Sequence, residues 1–311
     1  MITIYRSNPE LGLQTVEQPM SGCWISAIDP SAEEIAQMQE VLGVPQDFIT
    51  YPLDLGEMPR TEKENGATLI VLRVPYFQGE TSDIPYTTIP LGIILTNGMI
   101  ATVCKIETNV IQSITAGRAR GLSTAKRNRF ILQLLLITAN RYLADLREIN
   151  KAVDLLEDRL QHSLQNRELM DLLRCQKSLI YFTTALKSNE LMLQHLQKSQ
   201  LFQQYPDDQD LLEDVLTEVQ QAIEMTNISS NILSQMMDAF ASIISNNLNV
   251  VMKVLASITI VLALPTMVAS FFGINVILPL AHLEYAFLFI MGISVAVAAM
   301  VVLALWRKDW L

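Results

Sequence analysis

The chain has 311 residues, with 22 Lys or Arg against 32 Asp or Glu, for a net charge of −10. That balance argues against nucleic acid as a partner, since phosphate binding rests on clustered Lys and Arg. Half of the residues are hydrophobic, much of that excess lying in two C-terminal runs, which leaves roughly 245 residues ahead of them for one or two soluble domains.

Cys23, Cys104 and Cys175 are far apart and odd in number, and no C-x-x-C occurs. Neither a zinc ribbon nor a disulfide framework is indicated, and the thiols are expected to be buried in a reducing cytoplasm. The opening MITIYRSNPE lacks the basic and apolar regions of a signal peptide, which agrees with a cytoplasmic N-terminus.

Residues 1–118 read as a cytoplasmic α/β domain of the α+β class. Ile2–Tyr5, Cys23–Ile28, Ala67–Val74, Tyr86–Leu95 and Met99–Cys104 are strand candidates rich in Ile, Val, Leu and Thr. Asn97-Gly98 between the last two is a hairpin signal. Ser31 followed by Glu34 forms a capping box ahead of Ile35, Met38 and Leu42, and Gly43-Val44-Pro45 stops that helix. No G-x-G-x-x-G and no P-loop lysine motif is present, so no ATP hydrolysis is expected.

Residues 119–249 read as a helical and stalk region. The stretch 124–163 repeats Leu132, Leu135, Leu136, Ala139, Leu143, Leu146, Val153, Leu156 and Leu160 at helical spacing. A second long helix covers 165–198, with Leu172, Leu173, Leu179, Leu186, Leu193 and Leu196 on its apolar face. Tyr205-Pro206 breaks the chain. Asp207 and Asp208 then favour a helix start, and nothing obliges that helix to end before Phe272. Leu212, Val219, Ile223, Ile232, Met236, Ala239 and Ile243 run along it at near-heptad spacing. The acidic cluster Asp207, Asp208, Asp210, Glu213 and Asp214 reads first as a solvated helix start.

From Val254 to Phe272, and again from Tyr285 to Trp306, no side chain is charged. Each run is about 20 residues, long enough to cross roughly 30 Å of hydrocarbon as a helix. The segments are therefore a first transmembrane helix at 250–272, a connector at 273–284, a second transmembrane helix at 285–306 and a basic tail at 307–311. Lys253, Arg307 and Lys308 flank the runs and the connector has no Lys or Arg, which places both chain ends in the cytoplasm.

The first of these helices has two unlike faces. Asn249, Met252, Ala256, Thr259, Ala263, Thr266, Ser270 and Gly273 form a small or polar stripe. Val251, Val254, Ile258, Val261, Pro265, Val268 and Phe272 form an apolar one. Such a stripe serves close helix packing or lines a water-filled path, and a path requires a ring of copies.

Met252-Lys253-Val254-Leu255 at the inner end, Pro265-Thr266 within, and Gly273-Ile274-Asn275 at the outer end resemble the CorA family of divalent-cation channels. That family has two C-terminal transmembrane helices and a Gly-Met-Asn signature ending the first. The resemblance implies a homopentamer in the bacterial-type inner membrane, its stalk helices forming a cytoplasmic funnel, that conducts Mg²⁺ and also Co²⁺ or Ni²⁺. It implies a selectivity filter at Gly273, Ile274 and Asn275. Mg²⁺ gives up its inner waters reluctantly, and a ring of neutral Asn and backbone oxygens can hold those waters. The plain alternative is that Gly-Ile-Asn caps a membrane helix. Ile274 stands where the family has Met, which bears on ion preference.

By the same resemblance Thr266 matches a polar pore position, and Asn249 forms a further polar ring at the cytoplasmic mouth. Met252 and Leu255 can close a pore by excluding water, or serve ordinary helix packing. Asp238, fourteen residues before Met252, and Asp54 fall at acidic positions that bind regulatory Mg²⁺ between subunits, and Asp214 matches a third. Facing carboxylates repel, and a divalent cation removes that repulsion, so internal Mg²⁺ would favour a closed state. On residues alone, Asp54 caps a turn and Asp238 is a solvated stalk residue. The only acid in the connector is Glu284, with His282 near it. Two rivals remain: a zinc transporter of the same fold, proton-coupled, and a membrane-anchored receptor or scaffold. The three histidines are scattered, and no nucleophile–base motif marks an enzyme.

Overall fold

The computed structural model describes residues 1–8, 12–96, 98–117, 122–162, 166–199, 202, 206–273, 285–308 and 310. They form two compact units, Met1–Gln235 and Met236–Leu311.

The first unit is built on a seven-stranded mixed sheet among the described residues. Its strands are β1 (Ile2–Asn8), β2 (Gly12–Thr15), β3 (Trp24–Ile28), β4 (Arg60–Glu64), β5 (Ala67–Phe77), β6 (Tyr86–Leu95) and β7 (Ile100–Cys104). Their order across the sheet is β2-β1-β3-β7-β6-β5-β4. All neighbours are antiparallel except β3 and β7, which pair in parallel with Trp24 opposite Ile100 and Ile28 opposite Cys104. The central strands are covered on both sides, so β5, β6 and β7 read as nearly unbroken apolar runs.

Against one sheet face lie α1 (Ala32–Leu42) and the short α2 (Gln46–Thr50). Met38, Leu42, Phe48 and Ile49 bury there with Ile25, Ala27, Leu69, Val71, Ile94, Ala101 and Val103. The predicted capping box is present: the Glu34 amide donates to Ser31 Oγ, and the Glu34 carboxylate accepts from the Ser31 amide. Gly43 closes the helix in the left-handed region, with φ of 66°. The other face meets α4 (Arg127–His162) and α5 (Asn166–Lys198), with α3 (Asn109–Thr115) packed on α4. Trp24 joins those layers, its Nε1 donating to Thr102 Oγ1 at 2.9 Å and its ring lying 5.3 Å from that of Phe130.

β2, β4, α2 and α3 were not predicted. β4 reads RTEKE, a charged segment that blunts a sheet edge rather than filling a core. It turns into β5 through Asn65 and Gly66, both left-handed with φ of 51° and 78°. That is the two-residue hairpin geometry which favours Asn-Gly. The predicted hairpin at Asn97-Gly98 does join β6 to β7, but through a longer connection, with Leu95 opposite Ile100; Asn97 itself lies outside the described residues.

Helix α6 (Pro206–Phe272) is 67 residues long, starting two residues before the predicted Asp208. Leu212, Val219 and Ile223 on its first part are buried as their spacing predicts, whereas Ile232 and Ile243 are largely exposed. The second unit contains the remainder of α6 and α7 (Ala286–Trp306). Both helices contain stretches long and apolar enough to cross a membrane, with mean hydropathy of 2.1 and 2.8 and almost no burial. The predicted fold class, an α+β domain followed by a long helix and two C-terminal apolar helices, is the one observed.

Candidate pore face and acidic loop

A polar side chain in a lipid-spanning stretch has to satisfy its donors within the protein unless it lines a water-filled path. Two threonine hydroxyls do so locally. Thr259 Oγ1 donates to Leu255 O and Thr266 Oγ1 to Leu262 O, both at 2.8 Å. The proton of each hydroxyl is thus engaged, and the oxygen presents lone pairs outward. Pro265 sits inside the helix on the opposite stripe, where it removes one amide donor.

The two stripes read from the sequence differ in exposure from Val261 onward. Asn249, Met252, Leu255, Thr259, Ala263, Thr266, Ser270 and Gly273 are all exposed, and Ala256 is half-buried. Of the apolar stripe, Val261, Pro265, Val268 and Phe272 are half-covered, as is the neighbouring Leu264, whereas Val251, Val254 and Ile258 are exposed. Ser257 on that side is fully buried, donating to Lys253 O at 2.8 Å and to Trp310 O at 3.3 Å. In α7 the half-covered residues, including Ile293, Val297, Val301 and Leu305, likewise form one stripe. The small and polar face of α6 thus lies within the arc that the second unit leaves open, which also carries Ile260, Leu262, Met267 and Phe271.

Gly273 ends α6, its amide donating to Ser270 O at 3.2 Å. It does not adopt the left-handed conformation, and a Cβ there would stand 3.4 Å from Ala269 O. That is ordinary van der Waals contact, so within this chain neither handedness nor clearance demands glycine here. Ile274 and Asn275, with His282 and Glu284, lie outside the described residues.

Asp54 is on an exposed loop that follows a 3-10 turn at Tyr51–Leu53. Its amide donates to Tyr51 O at 3.1 Å, and its Oδ1 accepts from the Gly56 amide at 2.9 Å. The expected turn cap is thus present, and Oδ2 makes no hydrogen bond within the described residues, so one carboxylate oxygen faces outward. Pro52 is buried against Gly92 of β6, where a Cβ would fall 2.2 Å from Pro52 Cγ. Arg60 pairs with Glu57 and Glu62 and lies 4.6 Å over the Tyr51 ring. These fasteners were not legible in the sequence, because Gly92 and Arg60 gain meaning only from sheet register.

Asp214, in the first unit, and Asp238, in the second, are exposed on α6. The acidic helix start is more structured than predicted. Asp207 pairs with Arg129 at 3.5 Å, while Asp208 is buried and its carboxyl is pushed upward by that burial. Among the described residues no group of three or more His, Cys, Asp or Glu is placed to hold a metal ion. By itself Asp54 offers one unbonded carboxylate oxygen among the described residues. That fits a cation such as Mg²⁺, which takes one or two protein carboxylates and keeps most of its water.

Residues 20–308 match the family described as CorA-like Mg²⁺ transporter protein. The cobalt/magnesium transport protein CorA of Methanocaldococcus jannaschii is 28% identical over 298 residues, which are 93% of this chain and 91% of that protein. The complete structure of the CorA magnesium transporter from the same organism matches with a TM-score of 0.87 at 23% identity, covering 100% of this chain and 99% of that one. The full-length CmaX structure matches with a TM-score of 0.75 at 17% identity, covering 99% and 97%. At these identities the two structural likenesses speak to fold.

Proposed function

From the premise that this chain belongs to the CorA-like Mg²⁺ transporter family, we propose that it is a membrane channel passing Mg²⁺, with Co²⁺ or Ni²⁺ as further cargo, down the electrochemical gradient. The observation that carries this reading is the open small-and-polar face of α6, opposite the side that meets the C-terminal tail. Five copies arranged with that face inward enclose a path lined by Asn249, Met252, Leu255, Ala256, Thr259, Ala263, Thr266 and Ser270.

The chemistry of the lining suits a hydrated dication. Water bound to Mg²⁺ turns its hydrogens outward, so a wall of acceptors holds it without stripping it. Thr259 and Thr266 present such acceptors because their protons are committed to the helix backbone. Gly273, Ile274 and Asn275 serve as the filter, with Asn carbonyls as its acceptors. Met252 and Leu255 form the apolar constriction at the inner end, where closing excludes water.

In this reading both chain ends are cytoplasmic. Residues 1–118 and 119–249 form the cytoplasmic part, 250–272 the pore helix, 273–284 the external connector, 285–306 the outer helix and 307–311 the basic tail. Regulatory Mg²⁺ binds between Asp54 of one subunit and Asp238 of its neighbour, with Asp214 contributing nearby negative charge. It holds the closed arrangement when internal Mg²⁺ is high.

The test is divalent-cation uptake into proteoliposomes by the purified protein, with Mg²⁺, Co²⁺ and Zn²⁺ supplied separately, with and without a pH gradient. Mg²⁺ uptake that needs no pH gradient and that changes in Asn275→Ala is the expected result. Zn²⁺ uptake driven by protons would instead assign a proton-coupled zinc transporter. Folded, inserted protein that moves no cation would assign a membrane-anchored receptor.

A further inference from the structure

Arg73 of β5 is partly buried and makes no bond to a carboxylate among the described residues. Its Nε donates to Thr88 Oγ1 at 2.9 Å and its Nη2 to Thr88 O at 2.6 Å. Its Nη1 donates to Leu55 O at 3.1 Å and Glu57 O at 2.8 Å. Desolvation lowers the pKa of this guanidinium, yet it remains a cation at neutral pH. Its charge is therefore spread over three backbone carbonyls and a hydroxyl. Two of those carbonyls belong to the three residues that follow Asp54.

The Arg73 backbone is itself held. β4 begins at Arg60, opposite Val71, so β5 has no strand neighbour on that side at Arg73. The Asn189 side chain takes the place of one: the Arg73 amide donates to Asn189 Oδ1 at 2.9 Å, and Asn189 Nδ2 donates to Arg73 O at 2.8 Å. Tyr142 Oη also donates to Arg73 O, at 3.0 Å. Arg73 thus joins the sheet, α4 and α5 to the Asp54 loop. That loop is seated at its other end by Pro52 on Gly92.

We infer that Arg73 is the positioning residue of the Asp54 carboxylate. By bonding Leu55 O and Glu57 O it fixes the loop before any cation arrives, so Mg²⁺ need not supply the cost of ordering it. The inference rests on the reading of Asp54 as a regulatory Mg²⁺ ligand. Lysine at this position keeps the charge but lacks the fork that bridges both carbonyls while still holding Thr88.

The experiment titrates MgCl₂, at constant ionic strength, against tryptic digestion of the full-length protein in detergent, with thermal melting recorded in the absence of Mg²⁺. Asp54→Ala should lose most of the Mg²⁺-dependent protection; unchanged protection there overturns both the regulatory reading and the positioning role. Arg73→Lys should move the protection midpoint about tenfold to higher Mg²⁺, the size seen when a residue supporting a metal ligand is removed. Leu172→Val, a buried core change remote in sequence from the loop, should leave the midpoint in place. A shift in Asp54→Ala with none in Arg73→Lys overturns the positioning role alone. Equal shifts in Arg73→Lys and Leu172→Val also overturn it, since they report general loosening. Thr88→Val removes one acceptor of the guanidinium with little change in volume, and a smaller shift in the same direction is expected. If Arg73→Lys fails to assemble, an unmoved midpoint in Thr88→Val overturns the inference.

Discussion

At Gly92 a single hydrogen atom decides the local packing. A methyl group there would overlap the Pro52 ring, so Gly92→Ala should displace the 51–57 loop and destabilise the first unit by about 1–3 kcal/mol, the usual cost of overpacking. A fall in the thermal midpoint, with faster amide exchange confined to that loop, is the expected result. Asp145 and Glu34 show opposite electrostatic signs. Burial of the Asp145 side chain, 3% exposed, raises its carboxyl to about 6, although Arg141 lies 2.6 Å away and pulls the other way. The folded state then holds that proton more tightly than the unfolded chain does. The contribution of Asp145 is fully favourable below about pH 4 and is lost as pH rises through about 6. Measured against Asp145→Asn, the native residue should gain relative stability on acidification from pH 7 to 4.5, by up to about 2 kcal/mol. Glu34 is lowered, chiefly by its bond from the Ser31 amide and then by the N-terminal ammonium. Its contribution is present at neutral pH and disappears on acidification.

At the scale of elements, long helices and buried strands were the legible parts. The Leu repeats gave α4 and α5 nearly to their ends, because a helix packed along one side must repeat its apolar residues. β5 and β6 announced themselves through Ile, Val and Thr buried on both faces. β4 and β2 stayed hidden, because an edge strand is marked by its partner rather than by its own composition. The open face of α6 was legible for the same reason as its core face, a period near 3.6 residues. The setting of Asp54 was not: Arg73, Thr88, Gly92 and Asn189 meet it only through tertiary structure. The start of α1 makes a simple test of local reading. Ser31→Ala should cost about 1 kcal/mol, the usual value of an N-cap, and should show as a lower thermal midpoint. Ser31→Asp, which keeps an acceptor, should largely restore it.

For the molecule as a whole, the two apolar helices and the family membership identify a membrane protein, and the proposed topology can be read by labelling. A cysteine at His282→Cys should react with an impermeant maleimide added to intact cells. A cysteine at Asp238→Cys should react only after the membrane is opened. Of the native thiols, Cys23 and Cys104 are buried; Cys175 is half-exposed and is replaced by Ala in both variants. Labelling at Asp238→Cys from outside would reverse the orientation.

The parallel pairing of β3 with β7 bears on the order in which the sheet is made. β4 to β7 follow one another as a meander, and each strand finds its partner a short distance along the chain. The ribbon of β1, β2 and β3 is synthesised first, yet its seat is β7, which ends at Cys104. The ribbon must therefore wait, one edge unpaired, until the whole meander has emerged and turned back. Changes along the seam, such as at Ile25 or Ala101, should slow refolding more than equally destabilising changes within the Asn65-Gly66 hairpin, where closure is local.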